Sequence, residues 1–161
     1  FAVEKAELNG AHDGRIITCP APARPGCSYQ RVNDNGTGDD DQVEDLRTTV
    51  VDGQPVCVFV KRRPVGNRFS NSNSSATLVT PDAVFSPTEC AQIGAFAQAM
   101  GLDYGGLDVL RDRGDGRIYI VDANKTDLGP TRSLPVSEQV RATRLLAQAV
   151  RAFLRRPAAG V

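Results

Sequence analysis

The clearest pattern of hydrophobic and polar positions is a pair of β-rich runs around a tight turn. Residues 46–51 and 56–60 consist mostly of strand-favouring side chains, and Asp52-Gly53 lies between them. An Asp-Gly pair between two such runs is typical of a two-residue type I′ turn. The pattern therefore predicts a β-hairpin. Shorter strand candidates lie at residues 1–5, 14–18 and 28–32.

Two amphipathic stretches are predicted to be helices. Ser86 is a good N-cap, Pro87 suits the first turn, and Glu89 completes a capping box. Gly101 is the expected end of this helix, and the second helix is expected from about Ser137 to Arg155. The order of strands, helix, strands and helix indicates an α+β fold. The side chains expected to face the core are Cys90, Ile93, Phe96, Ala97 and Met100, then Val140, Leu146, Ala147, Val150 and Leu154.

Size and charge exclude several classes of protein. The chain has 161 residues, enough for one domain with one core, and its 19 basic and 19 acidic residues cancel. It therefore lacks the basic field that binds nucleic acid or a membrane surface. No apolar run approaches the roughly 18 residues of a membrane-spanning helix. The chain begins at Phe1 with residues of strand character, so an N-terminal part is expected to be missing.

The cysteines and the single histidine limit the chemistry. None of the four cysteines forms a C-x-x-C pair, so we expect free thiols in a reducing cytosol. With His12 as the only histidine, a histidine-rich metal site is excluded, and a Ser-His-Asp mechanism would depend on that residue. Any metal must be held mainly by oxygen, which points to magnesium, calcium or manganese.

A second predicted hairpin brings acidic residues together. A three-residue loop at 114–116, with strand pairing directly outside it, sets Asp108 opposite Asp122. Opposed residues share a face, with Cβ atoms about 4.5–5.5 Å apart, and Asn124 lies on that face because it is two residues further on. These oxygens suit a divalent cation. The alternatives are a solvated polar face or a register shifted by a bulge. The strands are expected at Leu107 to Arg111 and Arg117 to Ala123.

The same hairpin resembles the end of an ATP-grasp domain. The likeness lies in Gly-Leu-Asp-Tyr-Gly-Gly-Leu-Asp-Val-Leu-Arg-Asp at 101–112 and Gly-Arg-Ile-Tyr-Ile-Val-Asp-Ala-Asn-Lys-Thr at 116–126. In that family a strand aspartate and a later Glu/Asp-x-Asn hold the magnesium of MgATP. This chain departs in having Asp122 for the usual glutamate and Asp127 where a proline is usual. The ligands that the resemblance implies for Mg²⁺, with Mn²⁺ possible, are Asp108, Asp122 and Asn124.

The first hairpin is similar to the arginine-bearing strand pair of glutathione-synthetase-like ATP-grasp enzymes. The likeness runs over Asp-Leu-Arg-Thr-Thr-Val-Val-Asp-Gly-Gln-Pro-Val at 45–56 and implies that Arg47 faces the phosphates or the acyl substrate. An exposed strand arginine is the alternative. For Lys61, the two-residue turn also allows a surface ion pair with Glu44. The resemblance extends over a polar loop at 67–75, and its implied catalytic residues are Arg47 and Arg68, with Lys61, Arg63, Asn71 and Asn73 facing substrate or phosphate.

The N-terminal segment adds a weaker likeness. Val-Glu-Lys-Ala-Glu-Leu-Asn-Gly-Ala-His-Asp-Gly at 3–14 looks like the family's strand lysine with its glycine-containing phosphate loop, which implies Lys5. The strand Tyr-Gln-Arg-Val at 29–32 resembles the hinge that presents backbone groups to adenine, which implies Gln30 and Val32. A competing calcium-loop spacing runs from Asn33 through Asn35, Thr37 and Gly38 to Glu44, but it would need a helix on each side.

The resemblance implies that residues 1–156 are the C-terminal part of an ATP-grasp domain, followed by a tail at 157–161. The expected fold is an antiparallel sheet with packed helices. The implied activity is an ATP- and Mg-dependent ligase that activates a carboxylate as an acyl phosphate for attack by an amine or thiol. The expected partners are small-molecule carboxylate and amine or thiol substrates and the missing N-terminal domain. A phosphotransferase and a nucleotide-binding module without turnover remain open.

Overall fold

The computed structural model describes residues 1–8, 13–38, 41–70 and 72–156, so His12, Asn71 and the predicted tail at 157–161 lie outside the described residues. The α+β class is confirmed. The strands are β1 (Ala2–Ala6), β2 (Arg15–Ile17), β3 (Cys27–Arg31), β4 (Gln42–Val51), β5 (Gln54–Pro64), β6 (Ser75–Val79), β7 (Tyr104–Arg111) and β8 (Ile118–Asn124). The helices are α1 (Pro87–Ala99) and α2 (Val136–Leu154), with single 3-10 turns at Val65–Asn67 and Pro81–Ala83.

The strands form two antiparallel sheets. The small sheet has the order β2-β1-β3, and the large sheet has the order β6-β5-β4-β7-β8. All the predicted strands are present, whereas β6 was not predicted. The calcium-loop alternative is wrong, because the segment from Asn33 to Glu44 runs from one strand into the next and has no flanking helix.

The register of β4 against β5 slips by one residue at Val56, which has no partner in β4. A bulge of this kind reverses the alternation of side chains beyond it. Lys61 therefore lies opposite Asp45, and the predicted register with Glu44 is wrong. Glu44 instead pairs with Arg62, at 2.8 Å between Nη2 and Oε2. The slip moves Lys61 to the sheet face that carries Asp45.

The β7–β8 hairpin contains a second slip. Pairing near the turn joins Arg111 to Ile118, so the predicted three-residue loop is wrong. Val121 is then skipped, and Asp108 lies directly opposite Asp122, as predicted. The bulge at Val121 thus restores the pairing of Asp108 with Asp122 that the predicted three-residue loop implied.

Helices cover the two faces of the large sheet unequally. Helix α1 packs on the face that carries Leu46, and its buried residues include Ile93 and Ala97. Helix α2 packs on the other face against β5 and β4, and its buried residues there are Ala142 and Leu146. None of the helices in the described part of the chain is long and apolar enough to cross a membrane.

Parts of the two predicted apolar stripes face solvent. Met100, Val140 and Leu154 are exposed by 45%, 45% and 73%, and Ala147 is also exposed. On α2 the core-facing side carries the predicted Leu146 together with Ala142 and Leu145, so this side is rotated about the helix axis relative to the predicted stripe.

Candidate functional site

A cleft of about 940 Å³ lies between the small sheet and the part of the large sheet that α2 leaves uncovered. Its floor consists of side chains from β4, β5, β7 and β8, and β1 and β3 line its other side. Val32 is not among the lining residues. The predicted site residues that line the cleft are Lys5, Gln30, Arg47, Lys61, Arg63, Arg68, Asn73, Asp108, Asp122 and Asn124.

The predicted metal ligands lie together on the floor of this cleft. Asp108 faces Asp122 across β7 and β8, and Asn124 faces Gly106 in the next pair on the same side. Within the described ranges, no group of three or more acidic, histidine or cysteine side chains could hold a metal ion. An all-oxygen set of two carboxylates and an amide nevertheless suits Mg²⁺, which usually keeps water and substrate phosphate as its other ligands. The donor chemistry therefore fits the predicted cation.

Two positively charged side chains offset the charge of the Asp108 carboxylate. Arg47 Nη1 lies 3.2 Å from Asp108 Oδ2, and Lys61 Nζ lies 3.5 Å from Oδ1. Arg47 lies directly opposite Asp108 in the β4–β7 pairing, whereas the Lys61 contact depends on the β4–β5 bulge, since Lys61 would otherwise point to the opposite face. The Asn124 amide oxygen accepts hydrogen bonds from Thr126, at 2.8 Å from N and 3.0 Å from Oγ1.

Arg47 lies at the centre of the floor between two carboxylates. Its Nη2 donates to Asp127 Oδ1 at 2.9 Å, in addition to the Nη1 contact with Asp108. Burial alone would lower the pKa of Arg47, but the two carboxylates outweigh that effect and raise its pKa. A Cβ at Gly106 would lie 2.6 Å from Arg47 Nη2, so the absence of a side chain there leaves room for the guanidinium.

Arg63 is a structural brace in the wall of the cleft. Its side chain is 9% exposed and is paired with the Asp45 carboxylate. It also donates to the backbone oxygen of Arg68, at 2.9 Å from Nε, and to Asn73 Oδ1, at 3.1 Å from Nη1. Burial raises the pKa of the Asp45 carboxyl, although Arg63 and Lys61 act in the opposite direction. These contacts connect β4 and β5 to the loop that follows β5.

The predicted catalytic Arg68 ties that loop to the segment after β3. Its Nη2 donates to the backbone oxygen of Asn33 at 3.0 Å and to Asn35 Oδ1 at 2.8 Å. Asn35 Nδ2 in turn donates to Asp45 Oδ1 at 3.1 Å. Asn33 is buried and lines the cleft, and its Oδ1 has no hydrogen-bond partner.

Lys5 and Gln30 reach the cleft from the small sheet. Val3 and Lys5 alternate with Glu4, which faces the other way and pairs with Arg15. Gln30 lies opposite Val3, and its Nε2 is 3.5 Å from the backbone oxygen of Val121 in the large sheet. Val121, the bulged residue of β8, therefore contacts β3, the strand that is predicted to hold adenine.

The polar residues of the cleft that were not predicted as site residues include Asp45, Asn35 and Asp127. Asp45 could have been found by its spacing, because it lies two residues before Arg47 on the same strand. Asp127 was visible only as a departure from the usual proline. Nothing in the sequence pattern distinguishes Asn35 from other loop asparagines.

Solved structures with a similar fold are complexes of the ATP-grasp ligase PsnB. One, with minimal precursor, Mg and ADP, is 17% identical, covers 92% of this chain and 46% of its own, and has a TM-score of 0.57. Another, with precursor peptide PsnA2 and AMPPNP, is also 17% identical, covers 92% and 45%, and has a TM-score of 0.56. No protein-family model matches the chain, and no curated protein does. The chain spans less than half the length of these ligases, and its fold is that of part of an ATP-grasp ligase.

Proposed function

We propose that this chain forms the MgATP-binding part of an ATP-dependent ligase. Its substrate would be a carboxylate, activated as an acyl phosphate and captured by an amine or thiol. The observation that carries the proposal is the shared face of Asp108 and Asp122, in the same cleft as Arg47, Lys61 and Lys5. Acidic and basic groups together suit a ligand that combines phosphates with a divalent cation.

The cationic side chains would bind and orient the phosphates. Lys5 lines the cleft from the small sheet, whereas Arg47 and Lys61 lie on its floor. Positioned donors of this kind act on charge that develops during phosphoryl transfer. The β3 backbone around Gln30, which lines the cleft, would hold adenine, whereas Val32 lies outside the lining. Arg68, whose Nη2 is already paired with the segment after β3, would act mainly by holding the cleft wall.

Asp108, Asp122 and Asn124 would hold Mg²⁺, or Mn²⁺ in its place. Bound there, the cation would neutralise phosphate oxygens. In the reaction, a carboxylate oxygen of the substrate attacks the γ-phosphorus, the bond to the bridging oxygen breaks, and ADP leaves. The nucleophile then attacks the acyl carbon, loses a proton and releases phosphate. The chain's own residues contribute positioning and charge neutralisation.

The solved neighbours support this proposal at the level of fold. PsnB binds Mg and ADP in one complex and AMPPNP with a precursor peptide in another. Because PsnB is found in complex with a precursor peptide, the proposal includes a peptide as a second class of substrate beside small molecules. The four cysteines are all free, which supports a reducing location such as the cytoplasm.

The proposal is tested by calorimetric titration with ADP, with and without Mg²⁺. We expect Mg²⁺ to tighten binding to the wild-type chain and Asp122→Asn to remove that gain, because Mg²⁺ depends on carboxylate charge. Asp103→Asn is the matched control, since Asp103 is an exposed acid outside the cleft. Equal Mg²⁺ dependence in wild type and Asp122→Asn would contradict the metal assignment.

Turnover separates the ligase from the alternatives. With ATP and its partners supplied, a ligase yields ADP with an amide or thioester, a phosphotransferase yields ADP with a stable phosphorylated product, and a binding module yields no ADP. In the ligase, Asp122→Asn should reduce ADP release at least about a hundredfold, since a cation at the phosphates contributes several kcal/mol to the transition state. Folding stability should not fall, because the change relieves opposed like charges. Near-normal turnover would rule out Asp122 as a metal ligand.

A further inference from the structure

Asp127 has a buried carboxylate beside Arg47, and its role is not explained by the resemblance to ATP-grasp domains. Its side chain is 4% exposed. Oδ1 accepts from Arg47 Nη2 at 2.9 Å, and Oδ2 accepts from Thr49 Oγ1 at 3.0 Å. Arg47 and Thr49 are neighbours on one face of β4, so a single carboxylate spans both. Tyr104 donates to the Asp127 backbone oxygen at 3.3 Å, which fixes the loop that carries it.

Arg47 uses different nitrogens for its two carboxylates. Nη2 contacts Asp127, and Nη1 contacts Asp108. Under the proposed function Asp108 also contributes oxygen to the cation, so its contact with Arg47 competes with that role. The contact with Asp127 has no such competitor, because that carboxylate is buried beside Thr49. Asp127 can therefore hold the guanidinium when Asp108 is engaged elsewhere.

We propose that Asp127 is a positioning residue that holds Arg47 toward the terminal phosphate of the bound nucleotide. The inference rests on the proposed function and adds to it a residue that acts through Arg47. The inference predicts that Asp127 increases the affinity for a nucleotide with a γ-phosphate and has much less effect on the affinity for ADP. A residue needed only for folding would affect both nucleotides alike.

The test compares the affinities of the full chain for AMPPNP and ADP, each with Mg²⁺, by calorimetry. We expect Asp127→Asn to reduce the preference for AMPPNP about tenfold, since hydrogen bonds to charged groups are worth about that much or more. In the Arg47→Met background the same change should have no further effect on the preference, because a residue that acts through Arg47 cannot act without it. Glu89→Gln is the control, since it breaks a carboxylate–arginine pair outside the cleft.

Several outcomes would overturn the inference. The first is an Asp127→Asn variant that keeps the wild-type preference for AMPPNP over ADP. The second is a loss of that preference that is equally large in the wild-type and Arg47→Met backgrounds. Either result would make Asp127 a structural residue. If Asp127→Asn does not fold, Thr49→Val provides the test, because it removes one hydrogen bond to the same carboxylate and should shift the preference in the same direction by a smaller factor. No shift there would also contradict the inference. Failure of the wild type to bind either nucleotide would instead refute the proposed function, and the inference with it.

Discussion

Arg47 and Arg63 lie on the same sheet face, yet their partners give them different roles. Arg63 contacts a carboxylate, a backbone oxygen and a side-chain amide, so its fork of donors is used within the protein. Arg47 contacts carboxylates alone, and one of them belongs to the candidate metal site. The contacts of Arg63 favour a bracing role, whereas its predicted part in binding the cofactor stays a prediction.

Glu89 gives a residue-scale prediction about pH. Hydrogen bonds from Arg111 lower the pKa of Glu89 from 4.5 to about 2, against the opposing effect of burial, and the Ser86 backbone adds to the lowering. A carboxyl whose pKa is lower in the folded state stabilises the fold at pH values above its pKa in the unfolded chain. That contribution is lost as the pH falls from about 4.5 through about 2. Because the pair is partly exposed, solvent screens it, and we expect the ionised Glu89 to contribute about 1–2 kcal/mol to the free energy of unfolding.

The measurement is urea unfolding of wild type and Glu89→Gln at pH 6 and pH 3. Gln keeps the capping box at Ser86, so the difference isolates the charge. Wild type should be more stable at pH 6, and its advantage should shrink at pH 3. An advantage that stays constant between the two pH values would argue against the lowered pKa.

At the scale of elements, the strands and the capped helix α1 follow from local pattern. Ser86, Pro87 and Glu89 form the predicted helix start, and positive φ at Asp52 and Gly53 agrees with the predicted type I′ turn. The two bulges were not predictable, because an unpaired valine looks like any other strand residue. The Asp108–Asp122 opposition was right only because the Val121 bulge compensates for the wrong loop.

Other misses have the same cause: the tertiary environment decides what the pattern leaves open. β6 follows a polar loop, and only its pairing with β5 identifies it as a strand. The register of Lys61 depends on Val56, a residue with no chemistry of its own. The exposed side of α2 is set by which part of the large sheet it covers.

The packing of α1 gives an element-scale prediction. A Cβ at Gly94 would lie 2.5 Å from the backbone oxygen of Gly53 in the β4–β5 turn. Backbone cannot yield as a flexible side chain does, so Gly94→Ala should destabilise the fold by about 1–3 kcal/mol despite its better helix propensity. Gly66→Ala is the control, since nothing lies within 4 Å of its Cβ position. Urea unfolding checks both, and equal stabilities would contradict the close packing.

For the whole molecule, Arg31 connects the two sheets across the cleft. It lies 3.2 Å from Asp112 Oδ2 and from Asp115 Oδ2, and it donates to Tyr119 Oη at 2.7 Å. These contacts hold the end of β3 against the β7–β8 hairpin. Arg31 is therefore one of the side chains that hold the two walls of the candidate cleft together.

Arg31→Met should loosen the small sheet without unfolding the large one. We expect amide hydrogens of β1 and β3 to exchange about tenfold faster, because local opening no longer has to break the bridge. Global stability should fall little, since the Arg31 side chain is 55% exposed. Arg15→Met is the control, because Arg15 is similarly exposed and pairs within the small sheet. Unchanged exchange in Arg31→Met, measured by mass spectrometry, would show that other contacts hold the sheets together.

The valine bulges have a consequence for which changes of chain length this protein can accept. Loss of one residue from a surface loop leaves every strand residue facing the same way. Loss of Val56 or Val121 would remove a residue that has no partner across the ladder, so every pair beyond it could keep its register. Lys61 would still lie opposite Asp45, and Asp122 would still lie opposite Asp108. Insertion of one more residue into either strand would instead turn the side chains beyond it to the other face of the sheet. Among descendants of this gene, deletions should therefore be tolerated at these two codons as they are in the loops, whereas insertions within the strands should be purged.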